Sequence, residues 1–329
     1  MLDERMVIVQ KHPDADLFIY NYTNKAQYER VWNEITLQCR GLILDSGMNI
    51  IARPFKKFFN LEEYPADEIP NESFEVFEKL DGSLGILYWL NDVPRIATRG
   101  SFISEQAVHA SGILQTKYSG VIDQLDRNVT YLFEIIYPQN RIVIDYGDKD
   151  DLVLLAAIDN KTGDDLPLPD IGFPMVKRYD GIADFNLLKD LAEDNKEGFV
   201  IRFKNGLSAK VKFAEYLRLH RIVTGVSNII IWEHLSEGRS FEDLLDKVPD
   251  EFYDWVKKTI DELKGQYDAI LIDSQKAFKQ FETRKDTALY FQTQKYPAVL
   301  FAMLDGKPID KIIWKMLRPE YAKPFKIEV

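Results

Sequence analysis

Lys79-Leu80-Asp81-Gly82-Ser83 places a lysine amine directly after one probable strand, residues 74–77, and just before another, residues 84–90. A lysine there opens at the mouth of a sheet, and the glycine lets a ligand approach the backbone closely. A lysine is a poor nucleophile at its free pKa of about 10.4, so covalent chemistry requires nearby cations or desolvation that favour the neutral amine. Candidate surroundings follow downstream: Glu134 in Phe133-Glu134, Glu197 in Glu197-Gly198-Phe199-Val200, and both cations of Lys210-Val211-Lys212. Two carboxylates suit a hard, oxygen-seeking ion such as Mg²⁺, held directly or through its water shell. Paired lysines suit charge developing on a transferring phosphoryl group. Each has an ordinary reading as well: a polar turn at Lys79, a strand-surface carboxylate at Glu134, and a solvent-facing alternation at Lys210 and Lys212.

The elements that must position these groups are mostly strands. Short apolar runs at 41–45, 85–90, 131–136, 152–158 and 198–203 alternate with turn signals. Asn91-Asp92 and Asn205-Gly206 read as hairpin turns, the second favouring antiparallel pairing. After about residue 229 the period changes. Residues 241–245, 252–263, 267–281 and 309–317 place apolar side chains three or four apart among charges, the pattern of amphipathic helices. A boundary near residue 228 therefore separates a sheet-rich part, 1–228, from a helical part, 229–329.

Taken together, the order and spacing resemble motifs I, III, IV and V of the covalent nucleotidyltransferases, the superfamily of polynucleotide ligases and messenger-RNA capping enzymes. In finer detail, from about Tyr20 to His220, the chain resembles the type-1 RNA ligases of T-even bacteriophages. The matching stretches are Tyr20-Asn21, Cys39-Arg40-Gly41, Arg53-Pro54, Lys57-Phe58-Phe59-Asn60, Gly100-Ser101 and Ser104-Glu105-Gln106-Ala107. They continue through Pro138, Asn140-Arg141-Ile142-Val143, Lys210, Lys212, Tyr216 and Leu219-His220. Leu80 departs from the pattern, where an acidic residue is usual, as does Arg99, where a lysine precedes Gly100.

The resemblance implies an α+β fold with a nucleotidyltransferase, ATP-grasp-like domain of antiparallel sheets and flanking helices over 1–228; it fades after about residue 228, so the small all-α domain over 229–329 is expected from its helical periodicity, and RNA-substrate binding there from its charge. It implies an ATP-dependent RNA ligase that joins 5′-phosphate and 3′-hydroxyl ends through lysyl-AMP and AppRNA, in RNA or tRNA repair. Lys79 would be the nucleophile, with Lys210, Lys212 and Glu134 as its catalytic companions. Tyr20, Arg40, Lys57, Gly82, Arg99, Glu197, Lys210 and Lys212 would hold ATP. Glu134 and Glu197 would organise Mg²⁺, or Mn²⁺ in its place, and the partners would be RNA ends such as a nicked tRNA. Asp243 is too loosely aligned to join the metal residues. His220 reads as structural or close to RNA.

Three rivals share parts of this signature. A DNA ligase and a GTP-using capping enzyme each carry a small β-barrel after motif V, where this chain shows helical periodicity. A non-catalytic binder of RNA ends would have lost ionisable site residues that are all present here.

Composition bounds these readings. A lone cysteine, Cys39, excludes an internal disulfide and cysteine-rich zinc sites. No apolar stretch approaches the roughly 20 residues of a membrane span, and the first ten residues lack the layout of a signal peptide, so a cytoplasmic, soluble protein is expected. Net charge −11 argues against indiscriminate coating of nucleic acid. The charge is uneven, however: residues 229–275 hold 5 basic and 12 acidic side chains, whereas 276–329 hold 11 basic and 6 acidic. The basic end interleaves its cations with Tyr290, Phe291, Tyr296 and Trp314, and is either a face for RNA or a solvated helix surface.

Overall fold

The computed structural model describes residues 6–193, 195–217, 220, 227–239 and 253–320. The chain divides into two compact units, residues 1–223 and 224–329. Residues 241–245, with Asp243, and Leu219 lie outside the described residues.

The first unit contains three sheets. One orders β1 (Val7–Lys11), β2 (Leu17–Tyr22), β3 (Arg40–Asp45) and β4 (Ile50–Ala52) side by side, with α1 (Asn24–Tyr28) and α2 (Glu34–Gln38) inserted between β2 and β3. The remaining strands are β5 (Phe59–Asn60), β6 (Phe74–Lys79), β7 (Ser83–Leu90), β8 (Val93–Ala97), β9 (Val129–Ile136), β10 (Asp151–Asp159), β11 (Asp165–Leu166), β12 (Arg178–Tyr179), β13 (Gly198–Phe203) and β14 (Ser208–Lys212). They form a central sheet ordered β11-β10-β9-β7-β8 and a third ordered β12-β6-β13-β14-β5. Ladders are antiparallel throughout the named strands except the short β14·β5 pair. The two turns read from the sequence are present: Asn91 and Asp92 both have positive φ, 48° and 65°, between paired Leu90 and Val93, and Gly206 has φ 90°.

The central sheet is buried on both faces, which explains why β10 reads as an unbroken apolar run rather than an alternation. One face packs Ile86, Tyr88, Leu132 and Ala156 against Ile19 and Ile43 of the first sheet. The other packs Leu87, Phe133 and Leu152 beneath α3 (Glu105–Thr116), which offers Ala110, Ile113 and Leu114 one helical turn apart. Phe77 and Leu80 meet Ile136 and Val153 at the seam between the central and third sheets. The Lys79 segment therefore runs along an apolar seam that fixes it from below.

In the second unit the described helices are α4 (Asn228–Ser236), α5 (Tyr253–Ala277), α6 (Arg284–Gln292), α7 (Pro297–Leu304) and α8 (Asp310–Met316). The two helical stretches expected at 252–263 and 267–281 are one helix, α5, and Phe281 lies beyond its end. Gly265 costs about 1 kcal/mol relative to alanine in such a helix, too little to interrupt 25 residues with an apolar stripe. Ile270, Val299 and Ile313 form the small core that joins α5, α7 and α8.

Candidate active site

Register brings three strand ends together. Lys79 closes β6, Gly198 opens β13 and Lys212 closes β14, and Gly198 is the cross-strand partner of both lysines. Gly198 has φ +151°, and a Cβ there would stand 2.0 Å from the Val211 carbonyl oxygen and 2.9 Å from Lys212 Cα. Only glycine lets β13 approach β14 this closely. The residue before it, Glu197, is 2% exposed, and its Oε1 lies 2.7 Å from Lys79 Nζ and 3.0 Å from Lys212 Nζ. Burial works to raise the Glu197 carboxyl, but the two ammonium groups overcome it and hold the group below the usual carboxylate range. Glu197 therefore stays ionised and ties the candidate nucleophile to a neighbouring cation.

Glu134 differs. Burial pushes its carboxyl up to about 8; Lys79 opposes the shift, the charges of Glu197 and Asp81 add to it, and the Gly82 N–H again opposes it. Gly82 packs so tightly that a Cβ would come within 2.6 Å of Ile135 O and 3.2 Å of Glu134 Oε1. A side chain at 82 is thus excluded by the Ile135 carbonyl of the neighbouring strand, with the Glu134 carboxylate tight behind it.

Asp81, which carried no assigned role beyond its motif, is a clasp. Its Oδ2 accepts from the amides of Val143 and Ile144 at 2.8 and 2.9 Å, and Oδ1 accepts from Tyr216 Oη at 2.9 Å. Its own amide donates to Tyr146 Oη at 2.8 Å. Four bonds thus fasten the turn after Lys79 to two distant segments.

The remaining candidates gather on aromatic rings. Lys57 is 7% exposed, with its ammonium 5.3–5.5 Å from the centroids of Tyr22, Trp32 and Phe59. Arg99 donates to Tyr22 Oη at 3.1 Å and lies over the same ring. Arg40 and Lys210 both lie over Phe58, at 5.7 and 5.2 Å. Gly41, at φ +98°, brings β3 against Arg99, since a Cβ would meet the Arg99 carbonyl oxygen at 3.1 Å. Tyr20 is half-buried on β2 opposite Leu42, and among the described residues no hydrogen bond or ring contact joins it to the other candidates.

Lysines 79 and 212 with Glu197 and Glu134 thus form one group, and Arg40, Lys57, Arg99 and Lys210 are held by rings. Tyr22 and Trp32 were not singled out from the sequence, because each comes from a segment far from the lysine it covers. His220, expected to be structural or close to RNA, packs its ring 5.4 Å from Tyr216.

Among the described residues, no three His, Cys, Asp or Glu side chains converge so as to hold a metal by themselves. Such an ion would draw ligands from substrate and water as well. Glu134 fits a cation, because its acid form is favoured only by burial and neighbouring negative charge. Glu197 already faces two ammonium groups.

Known proteins resemble this chain. A protein assigned as a bifunctional polynucleotide kinase/RNA ligase from Autographa californica nuclear polyhedrosis virus is 28% identical over 254 residues, covering 67% of this chain and 36% of that protein. One assigned as an RNA ligase from Thermovibrio ammonificans is 30% identical over 211 residues, covering 58% of this chain and 55% of its own. The solved structure of Naegleria gruberi RNA ligase with pyrophosphate is 21% identical, with a TM-score of 0.38 over 45% of this chain and 52% of that one. The chain thus spans about a third to a half of the length of these two sequence relatives. Residues 38–217, more than half of the chain and including every strand end that meets at Gly198, match the family described as RNA ligase, and the chain belongs to that family.

Proposed function

We propose that this protein is an ATP-dependent RNA ligase that works through a covalent lysyl-adenylate on Lys79. The observation that carries the reading is the shared Glu197 carboxylate, which holds Lys79 at 2.7 Å and Lys212 at 3.0 Å across three strand ends. In the first step Lys79, paired with Glu197 before nucleotide binds, gives up a proton to solvent and its neutral amine attacks the ATP α-phosphorus; a P–N bond forms, the bond to pyrophosphate breaks, and the nitrogen sheds a second proton to solvent. Lys212 and Lys210 offset the charge that develops on the α-phosphate. An oxygen of an RNA 5′-phosphate then displaces Lys79 to give AppRNA. Finally the 3′-hydroxyl attacks the 5′-phosphate and releases AMP, closing a phosphodiester.

Arg40, Lys57 and Arg99 have the character of a triphosphate-binding rim, and Gly82 that of a backbone position close to the nucleotide. Tyr20 would serve at the ribose end. A divalent cation, Mg²⁺ or Mn²⁺, supplies charge neutralisation on the phosphates when bound. Glu134 is the side chain best placed to hold it, and Glu197 would reach it through water. RNA with 5′-phosphate and 3′-hydroxyl ends, a nicked tRNA among them, is the proposed substrate, with residues 229–329 as the part that holds it. No described helix is long and apolar enough to cross a membrane; the proposed location is the cytoplasm of a bacterial or phage-infected cell.

The test is incubation with α-labelled ATP or GTP and Mg²⁺ before denaturing electrophoresis. Label from ATP and not GTP should remain on the chain through an acid-labile bond and vanish in Lys79→Ala. Equal labelling of Lys79→Ala removes the assignment.

A further inference from the structure

Lys57, Arg99 and Lys210 belong to three separate stretches of the first unit: the lead into β5, the bend after β8 and the middle of β14. Neighbouring cations repel one another, and Lys57, only 7% exposed, has given up much of its water. What surrounds these side chains must offset both costs before any anion arrives.

One continuous run of rings reaches all three stretches. Tyr22 meets Trp32 edge to face at 5.2 Å and 88°, Trp32 meets Phe59 at 5.4 Å and 67°, and Phe59 meets Tyr64 at 5.7 Å and 75°. Such contacts fix ring planes as well as separations, so each π-face points in a set direction.

At one end Tyr22 is 2% exposed, and its amide donates to the Cys39 carbonyl at 2.6 Å. Its ring has the Lys57 ammonium at 5.4 Å and the Arg99 guanidinium at 5.3 Å, and its hydroxyl accepts from Arg99 at 3.1 Å. Two cations drawn to one immobile ring are held in a fixed relation to each other. Trp32 adds a second face to Lys57 at 5.5 Å, and among the described residues no other cation lies over its ring. The Lys57 backbone is fixed as well, its amide donating to the Leu37 carbonyl at 2.7 Å. At the other end the Tyr64 hydroxyl accepts from the Phe59 amide at 3.1 Å and donates to the Ser208 carbonyl at 2.9 Å. β5 and β14 pair only through Ala209 with Phe59 and Lys210 with Asn60, so this hydroxyl is a further tie between the lysine before β5 and the lysine within β14.

We infer that Tyr22 and Trp32 are positioning residues for the nucleotide step: their rings hold Lys57 and Arg99 where the β- and γ-phosphates of ATP lie, at a spacing from Lys210 that the run of rings sets. They act through the two cations and touch no substrate. The rival account is packing alone, since both rings also cover Met6 and Ala26. The inference rests on the ligase reading for the identity of the nucleotide and on the ring geometry for the roles.

The probes are α,β-methylene-ATP, which cannot lose pyrophosphate, and AMP, which lacks the two phosphates at issue. Affinity of the full chain for each is measured by equilibrium dialysis with Mg²⁺ at constant salt. Tyr22→Leu strips a ring from two cations and should weaken the ATP analogue about tenfold, and Trp32→Leu, which strips one, about fivefold. Both should leave AMP affinity within about twofold of native, which also shows a folded cleft, whereas Tyr22→Phe and Trp32→Phe keep a ring and should bind the analogue within about threefold of native. In a Lys57→Gln background, Trp32→Leu should cost less than about twofold more, because its effect passes through the missing ammonium.

Three results would overturn the assignment. Equal losses of the analogue and of AMP would mean general damage to the cleft, native affinity in the leucine variants would leave the rings as packing, and an undiminished loss in the Lys57→Gln background would separate Trp32 from the lysine. Should Tyr22→Leu fail to fold, Trp32→Leu and its cycle with Lys57→Gln decide alone. If the predicted pattern holds but the native chain takes no label from ATP, the positioning roles stand and the ligase reading falls. If the native chain is labelled at Lys79 and the leucine variants bind both probes as it does, the ligase reading stands and the positioning roles fall.

Discussion

Replacing Asp81 by alanine tests whether the turn after Lys79 is held in place by the carboxylate or only by its apolar bed. Asp81 is 4% exposed and accepts three hydrogen bonds, two from backbone amides and one from a tyrosine hydroxyl. Bonds to an ionised acceptor contribute about 1.5–3 kcal/mol each, and removing the acceptor strands donors that water reaches poorly. The contributions overlap, because the Val143 and Ile144 amides share one oxygen, so about 4 kcal/mol is a reasonable loss. For a unit of this size each kcal/mol shifts Tm by about 2–4 °C, which predicts a fall of roughly 8–16 °C. Tyr146→Phe, which removes only the acceptor for the Asp81 amide at 2.8 Å, should cost about 1 kcal/mol and serves as the scale. The assay is a thermal melt followed by single-turnover labelling with ATP well below both melting points. Labelling by Asp81→Ala should be at least tenfold slower, because Lys79 loses the anchor two residues away. A native melt would refute the clasp. A lowered melt with native labelling would show that the clasp stabilises the fold without positioning the lysine.

Two further perturbations follow from the same strand ends. Gly198→Ala places a methyl 2.0 Å from the Val211 carbonyl oxygen; it should destabilise the unit by about 3 kcal/mol or more, since the obstacle is backbone, and abolish labelling by moving Lys212 from Glu197, as a melt and a labelling gel would show. Glu134→Gln changes the pH dependence of stability: with a native pKa of about 8 against 4.5, the group contributes stability that is complete below 4.5 and lost as pH rises through 8. Denaturant titrations at pH 6 and 8.5 should therefore show the native protein losing about 2 kcal/mol more than the glutamine variant, and an identical loss in both would remove the raised pKa.

The site was legible where chemistry needs particular side chains and obscure where it needs backbone. Lys79, Glu197 and Lys212 stand out as ionisable residues at strand ends and Glu134 as one inside the apolar strand β9, places where packing gives no reason for charge, and the structure brings Lys79, Glu197 and Lys212 into direct contact. Gly198 stood in the sequence as a neighbour of Glu197, but the reason for it, an approach of β14 that excludes any Cβ, appears only with register. Asp81 was visible and its work was not, since two of its partners are amides, which every residue except proline offers. Lys57 shows the same limit in another form. Of its rings only Phe59 is local; Tyr22 and Trp32 come from elsewhere in the chain, and no local pattern links a lysine to aromatics of a distant strand and loop.

In the second unit the limit is charge itself. The helical period was readable from 229 onward because an apolar stripe repeats regardless of what the other face does, yet two adjacent stretches fused into α5 because a single glycine is too weak a break. The interleaved lysines and aromatics were compatible with both an RNA face and a solvated surface. Burial separates them only in part: Phe291 is lost to the core, whereas Arg284 and Lys295 stand exposed in ion pairs with Asp305 and Asp273. Count and spacing cannot show which ring is buried, because that is set by how the helices pack, as Phe291 packs against Phe278 and Phe301. An unmatched Ser274 hydroxyl is likewise invisible in sequence, where serine in the last turn of a helix is unremarked. Burial thus says more about the work of each of these side chains than does the net charge of the segment that contains them.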